Sequence, residues 1–486
     1  MEYKIKGYQP EAVFHYFEEL SAIPRSSGNE AGVCNFLVNF AKEQGLEYYS
    51  DELNNVIIKK PGTAGSENKP AVMFQGHTDM VCEKVAGVEH DFSKDGIDIV
   101  VDNDKRVITA NGTTLGADNG IAVAMMMAIL SDNTLTHPPI ECVFTTSEET
   151  GMFGARALDT NLLKSRTMIN LDSEEEGIAT VSCAGGVNVS WTKNCEWEKA
   201  DDFQMQISIS GLLGGHSGTD IRLERINANK LMGRFLYTLL GETNMKLVSM
   251  NGGTKDNAIT RECTAVVCFP TEAEYHHAEE LMNQAIANTK EEILPAEPGY
   301  QTVVTKVAVA DKAMSRPVTE AVVKGIYLAP NGPQKRNLQA GGFIIASLNM
   351  GIVSTKEQEI EIRFSPRSSV TALQEETKKT LALLADLLGF HVEFSGEYQG
   401  WAYAEKSPIR EVFCDSYRQL FGEELKIEAI HAGLECGLFS GKMPGLDAIA
   451  VGPSMTGVHT PEETLYLDAC KKVWDLLCEV LKVLAK

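Results

Sequence analysis

The sequence predicts an α/β protein, a three-layer α/β/α domain interrupted by an inserted α+β domain, and two observations predict it. Short apolar, β-branched runs at Ala71 to Gln75, Ile140 to Thr146, Thr167 to Leu171 and Ala448 to Val451 alternate with helical patterns near both ends of the chain, as in an open α/β sheet. From about Val187 the pattern changes to alternating strands and longer helices, and it changes back near Trp401. The expected boundaries are residues 1–186, 187–398 and 399–486, with the first and last segments forming one domain.

Composition narrows the class. With 486 residues, 43% hydrophobic and 23% charged, the chain has a globular make-up with room for two or three domains. Its 67 acidic against 44 basic side chains give a formal charge of -23, which disfavours nucleic acid and anionic membranes as partners. No stretch approaches the roughly 18 apolar residues of a membrane span, and Met1 to Lys4 lead into no apolar signal region, so a cytoplasmic protein is expected. The eleven cysteines include no Cys-x-x-Cys pair and read as reduced thiols.

In chain order, Pro10 opens a helix that buries Val13, Phe14, Phe17 and Leu20 and stops before Pro24. Ser27 to Glu30 has capping-box spacing for a second helix that Gly45 ends. Asn55 to Lys60 reads as a strand, and Ala71 to Gln75 as a buried strand ending at Gly76-His77-Thr78-Asp79. A histidine two residues from an aspartate at a strand end suits a metal ligand with a carboxylate to fix its ring. Glu83 to Ala110 reads as a polar insertion with a hairpin near Asp102 to Asp104. Gly116-Ala117-Asp118-Asn119-Gly120 then starts an apolar helix, Ile121 to Leu130, where Asp118 either caps the helix or holds a cation.

The strand Ile140 to Thr146 runs into Ser147-Glu148-Glu149-Thr150-Gly151. A lone Glu-Glu pair is most simply a solvated loop. At the carboxyl end of a buried strand, the two carboxylates also suit metal-assisted hydrolysis, one toward a metal and one toward a water. Asp172, in Asp172 to Gly177, occupies the same strand-end position, and His459 lies between the last apolar strand and the final helix.

In this order, Gly76 to Val81, Gly116 to Gly120, Ser147 to Gly151, Asn170 to Glu174 and His459 resemble the zinc-site motifs of the dinuclear aminopeptidase-like metallopeptidases, which include carnosinases, bacterial dipeptidases and tripeptidases. Asn170 to Gly177, Ser182 to Gly186 and His431 to Gly437 look most like the bacterial aminoacyl-histidine dipeptidases. The resemblance spans essentially the whole chain. It implies a phosphorylase/aminopeptidase-like catalytic domain with an inserted lid, and a dipeptide substrate with histidine second. It also implies two Zn²⁺ per chain, with Mn²⁺ or Co²⁺ able to substitute. Asp118 would bridge the ions, His77 and Asp172 completing one and Glu149 and His459 the other. Glu148 would be the general base, Asp79 would orient His77, and the peptide after Asp118 would be cis.

Within the insertion, Val187 to Lys193, Phe203 to Ser210, Ala265 to Phe269, Gln301 to Val309 and Glu359 to Phe364 read as strands. Ile226 to Leu240, Glu272 to Leu294 and Leu373 to Leu388 read as helices. The pattern runs twice, splitting near Pro298, in two α+β halves. The resemblance implies that His216, in Gly214 to Gly218, stabilises an oxyanion, that Arg363 binds the substrate carboxylate, and that Asn257 reaches the site. Arg363 also reads as a solvent-facing strand residue. Glu435 either takes the substrate ammonium group or favours the start of a short helix. A homodimer through the insertion is expected from dimeric relatives. The rival readings are a deacylase of N-acyl amino acids and a non-catalytic metal- or peptide-binding relative, whose expected mark is loss of Glu148 or of a ligand. A serine nucleophile elbow fails because Thr219 stands where it needs glycine.

Overall fold

The computed structural model describes residues 3–293, 295–307, 310–338 and 340–486. Met1, Leu294 and Val309, where three of the sequence-based readings begin or end, lie outside the described residues. Two compact units form, one from residues 1–182, 401–429 and 434–486 and the other from 183–400 and 430–433.

The first unit is built on an eight-stranded sheet. Its order is Glu47–Ser50, Val56–Lys60, Ile140–Thr145, Val72–His77, Thr167–Asn170, Asp447–Ala450, Ile178–Cys183, Lys426–Ile430. The four central strands, Ile140–Thr145 through Asp447–Ala450, are parallel, so their carboxyl ends share one edge. Every residue of Val72–His77 and Ile140–Thr145 is buried, which requires cover on both faces. Helix Ala117–Ser131 is buried from Ala117 to Leu130 and apolar all round. Its Asn119 and Ala122 lie against Gly76, where a Cβ would come within 2.4 Å of Asn119 Oδ1. Each fully buried Ile, Val, Leu or Met of this helix contributes about 1.5–3 kcal/mol relative to exposure, which fixes where its first turn stands.

One local expectation is corrected. Ser27 and Glu30 have the spacing of a capping box, yet neither side chain caps helix Ala31–Glu43. Ser27 Oγ donates to Asp79 Oδ2 at 2.7 Å, and Glu30 Oε1 accepts from both the N–H and the hydroxyl of Ser147 at 2.9 Å. Both side chains hold the loops that carry the candidate site, a stronger use for a buried acceptor than a helix end.

The second unit holds a nine-stranded sheet. Its main path is Gln301–Val307, Phe203–Ser210, Cys263–Phe269, Lys246–Gly252, Ile344–Thr355, Glu359–Ser368, Gly185–Asn194, His391–Tyr398, and Gly332–Arg336 pairs with Ile344–Thr355. The two halves are therefore not consecutive blocks split near Pro298. Gly185–Asn194 joins the later strands, and Gln301–Val307 joins the earlier ones. Asn251 and Gly252 pair with Ser354 and Val353 to make one sheet of both. A shared core around Trp191, Phe235, Leu247, Met350 and Phe364 packs against helices Ala228–Glu242, Arg316–Leu328 and Thr371–Leu388. Among the described residues, no helix is long and apolar enough to cross a membrane.

Candidate functional site

Parallel strands deliver the candidate residues to one edge of the first unit. His77 ends Val72–His77, Glu148 and Glu149 follow Ile140–Thr145, and Asp172 follows Thr167–Asn170. Asp118 stands in the first turn of the buried helix, with non-helical φ/ψ, and the Asp118–Asn119 peptide is cis. Asp118 is the hub: its Oδ1 lies 3.1 Å from His77 Nε2, and its Oδ2 lies 3.2 Å from His459 Nε2. His77 Nε2 is also 3.6 Å from Asp172 Oδ1, and His459 Nε2 is 3.0 Å from Glu149 Oε2.

Ligand atoms of His77, Asp118 and Asp172 lie within 4.8 Å of one another, as do those of Asp118, Glu149 and His459, and those of His77, Glu148 and Glu149. The charges in this cluster fit cations. Burial opposes the charge of Asp118, yet His459 and His77 hold its carboxyl well below the ordinary range. Burial likewise opposes protonation of His77, but Asp172 and Asp118 raise it well above the usual value, and hydrogen bonds to Asp118 and Glu149 raise His459 to about 10. Desolvation raises Glu148 well above a normal carboxyl, with Asp172, Glu435 and Glu149 pushing the same way against His77. Protein groups alone leave the cluster short of positive charge, which a divalent cation between imidazole nitrogens and carboxylate oxygens supplies.

The sequence pattern of peptidase family M20/M25/M40 matches residues 73–483. The cytosol non-specific dipeptidase of Escherichia coli (strain K12) is 35% identical over 481 residues, covering 99% of each chain. The crystal structure of an aminoacylhistidine dipeptidase from Vibrio alginolyticus superposes with a TM-score of 0.94 at 36% identity, over 99% of this chain and 98% of that one. A tripeptidase from Staphylococcus aureus, at 16% identity and a TM-score of 0.59 over 98% and 99% of the two chains, shares the fold. The chain belongs to peptidase family M20/M25/M40. It is a hydrolase of peptide bonds with dipeptidase homologues.

Two groups that position this M20/M25/M40 cluster, Glu463 and Arg25, escaped the sequence reading, and they act beside Asp79, which did not. Glu463, buried, accepts the N–H groups of Leu115 at 2.8 Å, Gly116 at 2.9 Å and Asp118 at 3.1 Å, so one carboxylate shapes the turn that presents Asp118. Arg25 is also buried. Its Nη1 donates to the Thr78 carbonyl at 3.1 Å, and its Nη2 donates to that of Gly116. Gly116, at φ 68°, is needed there because a Cβ would lie 2.5 Å from Arg25 Nη2. Asp79 is fully buried, and its Oδ1 lies 3.4 Å from His77 Nδ1 while its two oxygens accept the N–H groups of Glu148 at 3.0 Å and Glu149 at 3.3 Å. It thus fixes the histidine and both glutamates. The nearness of Glu463 to His459 in sequence was the one available signal; Arg25 gave none.

Glu435 is fully buried in the first unit. Its Oε2 accepts from Thr145 Oγ1 at 2.6 Å and from Gln75 Nε2, and its Oε1 has no hydrogen-bond partner. Burial raises its pKa to about 8.

In the second unit, Gly215 and His216 pair with Ile259 and Ala258, and the Ser217 N–H donates to the Asn257 carbonyl at 2.9 Å, which brings His216 and Asn257 together. His216 Nδ1 accepts the N–H groups of Gly218 and Thr219, each at 3.2 Å, so its proton sits on Nε2. Burial, then Arg367, lowers its pKa and keeps the ring neutral. Arg363 is half-exposed and donates through Nε to Glu361 at 2.8 Å.

Proposed function

We propose that this M20/M25/M40 peptidase cleaves unblocked dipeptides, those with a second-position histidine and β-alanyl-histidine among them, with two divalent cations held in the cluster around Asp118. The observation that carries the reading is the Asp118 carboxylate, one oxygen beside His77 and the other beside His459. In this reading Asp118 would be shared between two Zn²⁺, with His77 and Asp172 holding one and Glu149 and His459 holding the other. A donor set of imidazole and carboxylate also accepts Mn²⁺ or Co²⁺. Bound there, such cations polarise the scissile carbonyl and bring the pKa of water down toward about 7.

Glu148 takes the proton of the attacking water and returns it to the leaving amine, a task suited to a carboxyl raised toward neutral pH. Asp79 holds the ring of His77 and the backbone of Glu148 in register. His216, neutral with its proton on Nε2, donates to the negative charge that develops on the carbonyl oxygen. Arg363 receives the dipeptide carboxylate, and Asn257, held at the His216 loop by the Ser217 N–H, is a further substrate contact. The unpartnered Oε1 of Glu435 is assigned to the ammonium group, which favours free amino termini over acylated ones. Residues 187–398 form the lid in this reading and also carry a homodimer contact, which sedimentation velocity tests. The protein works in the cytoplasm.

The test is metal analysis together with kcat/KM on β-alanyl-histidine, Ala-His, Ala-Gly and their N-acetylated forms. Hydrolysis of the free dipeptides with two cations per chain supports the proposal. Faster cleavage of N-acyl amino acids makes the protein a deacylase, and no turnover with Zn²⁺, Mn²⁺ or Co²⁺ makes it a binding relative.

A further inference from the structure

Glu30, 3% exposed, is a buried carboxylate that takes no part in the proposed chemistry. Burying a charge is costly unless its oxygens are engaged. Here Oε1 accepts both the N–H and the hydroxyl of Ser147, each at 2.9 Å. Ser147 lies at φ 50°, in the left-handed region that residues other than glycine occupy only under strain. At this residue the chain turns from strand Ile140–Thr145 into Glu148 and Glu149.

The neighbouring amides are held in the same manner. The Thr146 N–H donates to Asn55 Oδ1 at 3.1 Å, and those of Glu148 and Glu149 donate to Asp79 at 3.0 and 3.3 Å. Four consecutive N–H groups thus meet acceptors on three buried side chains of the first unit, Asn55, Glu30 and Asp79. Asn55 is anchored in turn, its Nδ2 donating to Asp51 Oδ2 at 2.7 Å and to the Gly154 carbonyl at 3.1 Å. The three holders differ in what else they touch. Asp79 also faces His77, so its loss would disturb a proposed cation ligand directly. Asn55 holds the last amide before the turn. Both side-chain hydrogen bonds of Glu30 go to Ser147, the residue whose torsion decides where the Glu148 side chain points. Without that acceptor two donors go unmet and the strained φ loses the interaction that offsets it, so the turn relaxes and carries Glu148 with it.

We propose that Glu30 is a positioning residue for Glu148, holding Ser147 in the left-handed turn that aims the base at its water. The inference deepens the proposed function and rests on Glu148 as the base. Glu30→Ala removes the acceptor, whereas Glu30→Gln keeps an oxygen in its place and loses only the charge. Assayed on Ala-Gly with zinc analysis, Glu30→Ala lowers kcat on the order of tenfold to a hundredfold, while KM and zinc per chain hold. Glu30→Gln recovers most of that loss. Adding Ser147→Gly to Glu30→Ala recovers part of it, because glycine takes the left-handed φ without strain. Equal losses with alanine and glutamine, or a loss of zinc in step with kcat, overturn the proposal. Ser147→Ala cuts one of the two bonds and leaves the carboxylate, so it gives a smaller loss in kcat alone and serves if Glu30→Ala does not fold; a full kcat there overturns the proposal. Amide hydrogen exchange needs no turnover. Glu30→Ala speeds exchange across residues 146–149 and Glu30→Gln does not; unchanged exchange in the alanine variant overturns the clamp. Faster exchange in a protein whose Glu148→Gln form is fully active would keep the clamp and remove Glu148 as the base.

Discussion

The two units collect opposite chemistry. At the strand ends of the first, His77, Asp118, Glu148, Glu149, Asp172 and His459 present carboxylate oxygens and imidazole nitrogens to one another, an arrangement short of positive charge. On the second, His216, Arg363 and Arg367 present N–H groups, and Ser217, His431 and Arg367 keep buried polar atoms unpaired. The first suits cations, and the second, on the function proposed above, suits an anion. The support differs too. In the first unit His77 ends a fully buried strand and Asp118 begins a buried helix, while Glu149, Asp172 and the exposed His459 sit in the loops beyond; in the second, His216 stands on a two-residue strand and Arg363 is half-exposed. Cations at close range demand fixed ligands, while a carboxylate with two oxygens tolerates a looser cradle.

Substitutions can break this contrast at several strengths. The largest expected effect is that of Glu148→Gln, which retains the cations while turnover falls by about 10²–10⁴-fold. Steady-state kinetics with metal analysis checks it, and unchanged turnover reassigns the base. Glu463→Ala, which leaves all five proposed ligands in place, should lower cation affinity about 10- to 100-fold by freeing the turn that presents Asp118. Competition with a chelator measures this, and unchanged affinity leaves Glu463 a purely structural group.

At neutral pH the smallest effect belongs to His431→Asn, but its pH signature is distinct. The folded pKa is lowered to about 4, against about 6.5 in the unfolded chain. Between these values the unfolded chain binds the extra proton, so the contribution is complete above pH 6.5 and is lost as pH falls toward 4. It amounts to about 3 kcal/mol. Urea titrations across that window should show a shallower pH slope in the variant, and an identical slope would place the proton elsewhere.

How legible the chain was depended on how each residue acts. His77, Glu149 and Asp172 follow apolar strands, and that position together with the motif order marked them in the sequence. Arg25, in Pro24-Arg25-Ser26, and Glu463, in Pro461-Glu462-Glu463, act on backbone groups distant in sequence, so nothing local separates them from solvated loop charges. Ser27 and Glu30 misled because helix caps and loop anchors use the same side-chain oxygens, and only the fold reveals Asp79 and Ser147 within reach. Strand alternation found most of the second unit's strands. The exchange of Gly185–Asn194 and Gln301–Val307 between its halves is a matter of long-range pairing, which local periodicity does not encode.

The central claim is that one carboxylate serves both cation positions. Counting metal per chain by mass spectrometry, in the unaltered protein and in Asp118→Ala after equal zinc loading and dialysis, tests it most directly. The account predicts two ions in the first and neither retained in the second, with circular dichroism unchanged. An Asp118→Ala protein that keeps one tightly bound ion would contradict it.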